Sequence, residues 1–307
     1  MVSGSELIRR WDGDGRQLAT QARAWLAGRG ARPNGLGEVD GRIDLRGLRV
    51  SGGPLTLGDK GDPAAGVVWE SLDLSYAHLD ALRLFGARIS DSIFDAASLV
   101  DLRVWGTTVT GCSFRRADLQ HAALGAGEWH RIRTVWGNTT FARAKLNRAV
   151  MVGAVVQQCD FERPGRLLLL QDCDIADCTF SGVLDSLLID GRGHRFPVSP
   201  SSLTADFSRS VFRNTRVAGY HLDRTVLPEQ PDLLVVHDYP HTLPGAAEWL
   251  DGKSASAGAQ RAAAFLRKLA MAPGSVDDTD MCFDLDCLSE VALRDLVREA
   301  LGQAAQR

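Results

Sequence analysis

The sequence of 307 residues lacks long hydrophobic runs, and it has only six cysteines. The longest apolar stretches, residues 149–156 and 167–170, are far shorter than the roughly 20 residues that a membrane helix needs, so no span of a bilayer is expected. Residues 1–11 have no apolar core of the kind a secretory signal needs, and a cytoplasmic location is therefore expected. In that compartment six cysteines indicate free thiols rather than a disulfide framework.

A strong charge of either sign is also missing, since 35 basic residues face 38 acidic ones and the net charge is -3. Residues 1–40 carry a net +1, residues 41–127 a net -1, residues 128–230 a net +2 and residues 231–307 a net -5. Neither a polybasic nucleic-acid binder nor a strongly acidic protein is indicated by these sums. Direct binding of nucleic acid is therefore not expected.

The sequence does contain a repeat of five residues. The central residue of each unit is apolar through one unbroken series: Leu74, Leu79, Leu84, Ile89, Phe94, Leu99, Val104, Val109, Phe114, Leu119 and Leu124. Further runs in this phase are Leu45, Val50, Leu55; Phe141, Leu146, Met151, Val156, Phe161; Leu170, Ile175, Phe180; and Phe207, Phe212, Val217, Leu222, Leu227. The residue two places earlier is mostly small, as at Ala77, Ala97 and Cys112.

A period of five residues fits neither regular element. On a helix it would carry the apolar positions around the whole circumference, and on a plain strand it would alternate between the two faces. A chain that turns a corner every five residues satisfies the period, because each side then sends one large and one small side chain inward.

Several units, such as ADLQH at 117–121, ADFSR at 205–209 and CDF at 159–161, resemble the A(D/N)LXX unit of the pentapeptide-repeat family. The resemblance implies an all-β solenoid, a right-handed quadrilateral β-helix with about twenty residues per coil. We expect an N-terminal helical cap in residues 1–40, the β-helix with inserted loops in residues 41–230, and a C-terminal helical extension in residues 231–307.

The ends and interruptions of the repeat complete this prediction. Loops or distorted corners are expected at 58–71, 125–138, 162–167 and 183–204, where the phase breaks and residues such as Trp129 and Trp136 occur. Helical spacing predicts a capping helix between Asp14 and Gly28. Two further helices are predicted at 259–270 and 288–305, the second with Ser289 as a cap.

Residues twenty apart in an unbroken run should lie above one another, which stacks Phe85 on Trp105 on the outside, with Ile93 on the neighbouring side. Exposed aromatic residues are common anchors for a protein partner. Two alternatives stay open for this patch, because the chain's own terminal helix would cover it equally well.

The same arithmetic places His78, Ser98 and Asp118 in one column, and Asp101 above His121 in another. These are the residue types of a nucleophilic triad, but the order is wrong because the imidazole must lie between serine and carboxylate. Asp101 and His121 remain weak candidates for a general base, and a solvated repeat surface is the alternative.

No metal site or cofactor is expected. Cys112, Cys159, Cys173 and Cys178 occupy the small inward position of the repeat, and Cys282 and Cys287 lack a second ligand pair. His237 and His241 flank Pro240, which argues against one regular helix holding both. The aspartates Asp278, Asp280, Asp284 and Asp286 resemble a calcium loop except that Phe283 stands where glycine is needed. No phosphate loop or dinucleotide fingerprint occurs.

A rigid solenoid typically offers a long surface to another macromolecule, so we expect a non-catalytic protein-binding role. The resemblance implies a type II topoisomerase such as DNA gyrase as the partner, bound by mimicry of DNA and linked to quinolone resistance. The alternative is an enzyme or small-molecule binder that uses the His78 and Asp101 columns or a pocket under a loop. A third hypothesis is a homodimer formed through the C-terminal apolar seam, comprising Leu293, Leu296, Val297, Ala300, Leu301 and Ala304.

Overall fold

The computed structural model describes most of the chain. The described residues are 3–49, 55–58, 61–62, 66–191, 203–253, 256–270 and 279–305. Val50, Asp278 and the central part of the predicted interruption at 183–204 lie outside them.

A coil of stacked parallel strands forms the body of the molecule. Each step of five residues belongs to a different parallel ladder, so that Leu74 starts face 1, Leu79 face 2, Leu84 face 3 and Ile89 face 4, and Phe94 returns to face 1. The bridge that joins Asp73 to Ile93 shows the step of twenty residues between coils. The predicted four-sided winding is thus present in the strand pairing.

Short strands make up the faces. Face 1 contains Arg42–Asp44, Leu72–Asp73, Asp160–Glu162, Cys178–Asp185 and Ala205–Arg213, the last two of which continue into face 2. Face 2 is otherwise a series of single bridges. Face 3 contains Thr56–Leu57, Arg83–Phe85, Arg103–Trp105, Val150–Val152, Leu169–Gln171, Leu188–Asp190 and Arg216–Tyr220. Face 4 contains Val68–Glu70, Arg88–Ser90, Thr108–Thr110, Val135–Gly137, Val155–Gln157 and Asp174–Ala176.

The large inward side chains stack along the axis. Leu79, Leu99 and Leu119 are buried, as predicted. On face 1 a column of phenylalanines stacks ring on ring with centroids 4.7–5.4 Å apart: Phe94, Phe114, Phe141, Phe161, Phe180 and Phe207. Stacked aromatic pairs add about 0.5–1.5 kcal/mol each beyond the burial of apolar area. This column is the clearest consequence of the five-residue period.

The small inward positions are filled as predicted. The buried thiol of Cys112 donates to the carbonyl of Thr110 at 3.3 Å, and burial raises the pKa of Cys112 to about 12. Cys159, Cys173 and Cys178 are likewise buried and free. Thr107 takes the equivalent place on face 4, where its hydroxyl donates to backbone carbonyl groups. A thiol or hydroxyl that bonds to the nearby backbone fits this narrow space without an unsatisfied polar group.

Two helices close the N-terminal end of the coil. Helix α1 spans Gly4–Arg9 and begins with a capping box between Ser3 and Glu6. Helix α2 spans Gly15–Leu26 and buries Ala22 and Leu26 against the core. The indole of Trp69 donates to the carbonyl of Leu26 at 2.9 Å, which fixes the end of α2 over the first coils. The predicted capping helix is confirmed, although the Asp14 side chain makes no capping hydrogen bond.

Two of the predicted interruptions and one predicted repeat unit differ from expectation. Between Leu124 and Trp136 a hairpin of Glu128–Trp129 and Ile132–Arg133 leaves the coil, but Trp136 returns as a buried inward residue of face 4. Residues 183–190 remain in the coil, with Leu184 and Ile189 inward. Near the start, Leu57 rather than Leu55 pairs with Leu84, so the phase shifts by two residues.

The C-terminal segment is not a purely helical element. Leu233–Val236 and Asp280–Asp284 add two antiparallel strands to face 3 beyond Arg216–Tyr220. Helices α3 (Tyr239–Lys253), α4 (Ala257–Ala270) and α5 (Val291–Ala304) pack on these strands, and a short 3₁₀ turn lies at Leu285–Cys287. Helix α3 was not predicted, and α5 begins after Glu290 without a cap from Ser289.

Asp280 and Asp284, two of the aspartates that resemble a calcium loop in the sequence, accept hydrogen bonds from the backbone of the coil. The buried carboxylate of Asp284 accepts the backbone N–H groups of Asn214 and Thr215 at 3.0 and 2.6 Å. Asp280 accepts the N–H of Leu222 at 2.9 Å. These bonds satisfy backbone donors of the last coils and join the C-terminal segment to the coil.

Candidate functional site on the outer faces of the coil

The predicted aromatic stack on face 3 is present but covered. Phe85 and Trp105 are paired in neighbouring strands, with ring centroids 5.0 Å apart. Trp129 of the inserted hairpin stacks on Phe85 at 6.3 Å, which leaves Phe85 only 6% exposed. The cover is thus the chain's own, although it comes from the hairpin rather than from a terminal helix.

Gly106 allows Trp129 to pack this closely, because a Cβ at Gly106 would lie 2.3 Å from the Trp129 ring.

Ile93 does not belong to the same patch. It lies half-buried on face 1, and the strand Arg88–Ser90 of face 4 separates it from Phe85. Phe85, Trp105 and Ile93 therefore do not form one exposed contact surface.

The predicted polar column on face 2 is present. Bridges join His78 to Ser98, Ser98 to Asp118, and Asp118 to Lys145. The Ser98 hydroxyl donates to the Asp80 carboxylate at 2.6 Å, while Asp118 accepts from Lys145 at 3.1 Å. Serine and carboxylate therefore have other partners, and no imidazole lies between them, so the column is not a catalytic triad.

Asp101 and His121 are neighbours in the next column, but arginines occupy the carboxylate. Asp101 forms ion pairs with Arg83 at 2.6 Å and with Arg103 at 2.5 Å. The hydrogen bond from Arg83 is the main cause that lowers the pKa of Asp101, with further help from the charge of Arg103. A carboxylate held in the ionised form by two arginines is a poor proton acceptor, which disfavours a general base here.

The histidines near the C-terminal segment each have an aspartate partner. His237 contacts Asp280 at 2.8 Å, and His241 contacts Asp238 at 2.9 Å. Across the residues that the structure describes, no group of three or more His, Cys, Asp or Glu side chains is arranged to hold a metal ion.

Two open clefts border the C-terminal helices. One, of about 550 Å³, lies between His237, His241 and the end of α5. The other, of about 670 Å³, lies between the coil at Leu188 and the side chains of Phe265 and Leu288. The apolar seam of α5 is not open, because Leu293, Val297 and Ala300 are buried in the cluster formed with α3 and α4. A dimer through that seam would require α5 to leave its own chain.

Face 2 changes character along the coil. Its outward side chains are polar at the N-terminal coils and basic in the middle. At the C-terminal coils one outward column is apolar, since Val183 and Val211 pair with each other and are 40% and 47% exposed. Asp185 and Arg213 pair in the column beside it. Leu167, at the corner that follows face 2, is 51% exposed.

The middle zone was not predicted from the sequence. We call it the basic face, and it consists of Arg115, Arg116, Arg143, Lys145, Arg148, Arg163 and Arg166, all exposed. The backbone N–H of Arg116 donates to the backbone carbonyl of Ala142, and that of Arg143 donates to the backbone carbonyl of Glu162. These bonds join successive coils, so Arg116, Arg143 and Arg163 stack along the corner between faces 1 and 2. The sequence did contain a signal for this zone, because Arg116, Arg143, Arg148 and Arg163 all occupy the last place of a five-residue unit.

Four carboxylates lie beside the cations of the basic face: Asp95, Asp118, Glu162 and Asp185. Glu162 accepts from Arg143 at 2.9 Å, and that bond is the main cause that holds the pKa of Glu162 below its ordinary value. For Asp118, burial opposes ionisation, but hydrogen bonds from Gln120 and Lys145 outweigh it and lower the pKa. Glu162 and Asp118 are therefore ionised at neutral pH, and seven cations and four carboxylates give the zone a formal net charge of +3.

Within the described ranges, each helix is too short or too polar to cross a bilayer.

Comparison with known proteins gives only distant similarity. No protein-family profile and no curated protein matches the chain. Among solved structures, a trypsin-treated form of QnrB1, a plasmid-mediated fluoroquinolone resistance protein, is 15% identical over 53% of this chain and 82% of that chain, with a TM-score of 0.22. A second trypsin-treated form of QnrB1 is also 15% identical, over 53% of this chain and 90% of that chain, with a TM-score of 0.21.

A third similar structure is Rfr23, a pentapeptide repeat protein from the cyanobacterium Cyanothece 51142. It is 11% identical over 53% of this chain and 84% of that chain, with a TM-score of 0.12. Structures of pentapeptide repeat proteins thus match about half of the chain. The β-helical winding follows from the strand pairing of this chain itself.

Proposed function

We propose that the chain is a non-catalytic scaffold whose coil binds another protein. We take the coil to be the right-handed quadrilateral β-helix that the repeat resemblance implies. The observation that carries the proposal is the stacked interior. Apolar side chains such as Phe141 and Leu146 fill the inward positions, so outward residues stand in fixed registers on a rigid support.

The apolar end of face 2 is the contact surface that fits this role best. Val183 and Val211 are outward neighbours, and Leu167 is exposed beside the same coils. Clustered exposed apolar side chains are typical of protein interaction sites. Placed next to the basic face, they provide an apolar centre with a charged border, as protein interfaces commonly have.

A type II topoisomerase such as DNA gyrase is the first partner to test. Mimicry of DNA would require negative charge along one whole side of the coil. The column that starts at His78 continues through Ser98 and Asp118 to Lys145, so face 2 does not provide such a side. We therefore propose contact through the apolar end of face 2 rather than through a DNA-like acidic surface.

Supercoiling by purified gyrase, measured with and without a molar excess of the full chain, tests this partner. We expect altered supercoiling or protection from a quinolone, and the double variant Val183→Glu/Val211→Glu should lose the effect. Val68→Glu is the control, because Val68 is 63% exposed on face 4, away from the proposed contact. No effect of the unmodified chain at excess would remove gyrase as the partner.

A further inference from the structure

The basic face carries a local positive charge that the proposed protein contact at Val183 and Val211 does not use. Its seven cations and the four carboxylates beside them give +3, whereas the whole chain is -3. The remainder of the chain therefore carries -6. At physiological ionic strength, charges more than about 8 Å away are largely screened, so a ligand at this surface experiences mainly the local positive charge.

The cations are placed on a fixed grid. Arg116, Arg143 and Arg163 occupy successive coils on one corner, and all three have positive φ angles of 56°, 58° and 50°. Coils are spaced by about 4.8 Å, so this column extends roughly 10 Å along the axis. Arg148 occupies the next corner with a φ of 57°, one face away. The repeated backbone conformation holds these side chains at regular positions.

Most of these cations are not neutralised within the chain. Among the described residues, Arg116, Arg148 and Arg163 make no side-chain hydrogen bond or ion pair. Arg143, Lys145 and Arg166 pair with carboxylates but remain 53%, 60% and 71% exposed; their partners are Glu162, Asp118 and Asp185. Like charges stacked at this spacing repel one another, and an anionic ligand would relieve that repulsion.

The chemistry of the grid favours phosphate. Six of the seven cations are arginines, whose planar guanidinium binds phosphate through two parallel hydrogen bonds. A groove of about 360 Å³ lies beside the first corner and has room for a phosphodiester group. Its charged lining consists of Arg115, Arg116 and Arg143 together with Asp95 and Glu162, so cations outnumber carboxylates by three to two. A duplex presents one charge per about 1.7 Å of its axis, or about six over 10 Å.

An acidic protein is a less suitable ligand for this zone. Protein interfaces depend on buried apolar or aromatic anchors near their centre. Between the two corners the outward residues are Asp118, Gln120, Lys145, Asn147 and Arg166. That set has polar and charged groups but no large apolar anchor, so the recognition available is electrostatic and directed at a repeated anion.

We propose that the basic face binds the phosphate backbone of nucleic acid without sequence preference. This site is separate from the apolar protein contact at Val183 and Val211. The charge of residues 41–127 and 128–230 is close to zero because acidic residues elsewhere in these segments offset the cations, which only the winding of the coil brings together.

Fluorescence anisotropy with a labelled 24-base-pair duplex of mixed sequence, titrated with the full chain between 50 and 200 mM NaCl, tests the proposal. Five to seven phosphate contacts predict a slope of log Kobs against log[NaCl] of about -4.5 to -6.3. The variant Arg116→Gln/Arg148→Gln/Arg163→Gln should flatten the slope by about 2.7.

The matched control is Arg29→Gln/Arg131→Gln/Arg224→Gln, which removes the same charge from exposed arginines outside the basic face. It should leave the slope unchanged, and thermal melting should show that both variants fold. Absence of duplex binding at 50 mM NaCl, or equal slopes for the two triple variants, would overturn the proposal. So would equal competition by polyglutamate at matched charge, which would identify an acidic protein as the ligand.

Discussion

The coil and the C-terminal segment bury their apolar residues by different rules. In the coil one short unit is repeated, and identical positions such as Phe114 and Phe141 meet in successive coils. In the C-terminal segment α3, α4 and α5 pack by helical periodicity on two antiparallel strands. The repeat therefore restricts the inside of the coil and leaves the outside free to vary, so function has to be sought on its surface.

Removal of one ring from the phenylalanine column should have the largest effect. Phe141→Ala leaves a cavity between Phe114 and Phe161, and we expect a loss of about 3–5 kcal/mol in the free energy of unfolding. Phe265→Ala, in the half-buried contact with Phe283, should cost only about 1 kcal/mol. Denaturant unfolding checks both, and equal losses would contradict the difference between the two regions.

Asp284→Ala should separate the two regions from each other. It leaves the N–H groups of Asn214 and Thr215 without their acceptor, and each buried unsatisfied group costs about 1–3 kcal/mol. We expect faster hydrogen exchange in the strand Asp280–Asp284 and in Arg216–Tyr220, with the phenylalanine column still protected. Unchanged exchange would show that the helices, and not this carboxylate, hold the segment in place.

The N-terminal cap depends on pH through Asp44. Burial opposes ionisation of Asp44, but hydrogen bonds from Arg10 and Arg46 outweigh it and hold its pKa far below the ordinary 3.8. A depressed folded pKa stabilises the protein above the unfolded pKa, and that stabilisation is lost as the pH falls below 3.8 toward the folded value.

The matched variant Asp44→Asn should therefore cost about 2 kcal/mol at pH 7. Its difference from the unmodified chain should shrink as the pH is lowered from 4 to 2. Chemical unfolding at each pH measures this difference, and a value independent of pH would contradict the assignment.

The smallest effect is expected on the outer surface. Asp101→Ala breaks the pairs with Arg83 and Arg103, which are partly exposed, and exposed ion pairs contribute about 0–1 kcal/mol. His121→Ala should change stability even less. Thermal unfolding that showed a loss as large as that of Phe141→Ala would place these residues in the core.

The sequence predicted the inside of the coil well, because only apolar side chains fill the narrow interior. Trp136 was misassigned because the hairpin at Glu128–Arg133 interrupts the count of five before the coil resumes. The strand Leu233–Val236 was missed because it pairs antiparallel, outside any repeat. The basic face was missed because net charge was summed along the chain, whereas Arg116 and Arg163 come together only through winding.

The most direct test of the central claim is a double-mutant cycle on the phenylalanine column. Phe141→Ala and Phe161→Ala alter rings 5.0 Å apart, so we predict a coupling of about 0.5–1.5 kcal/mol. Phe94 and Phe161 are separated by two intervening rings, and Phe94→Ala with Phe161→Ala should be additive within about 0.5 kcal/mol. Additivity in the first pair, or equal coupling in both, would contradict a coil in which successive units stack in register.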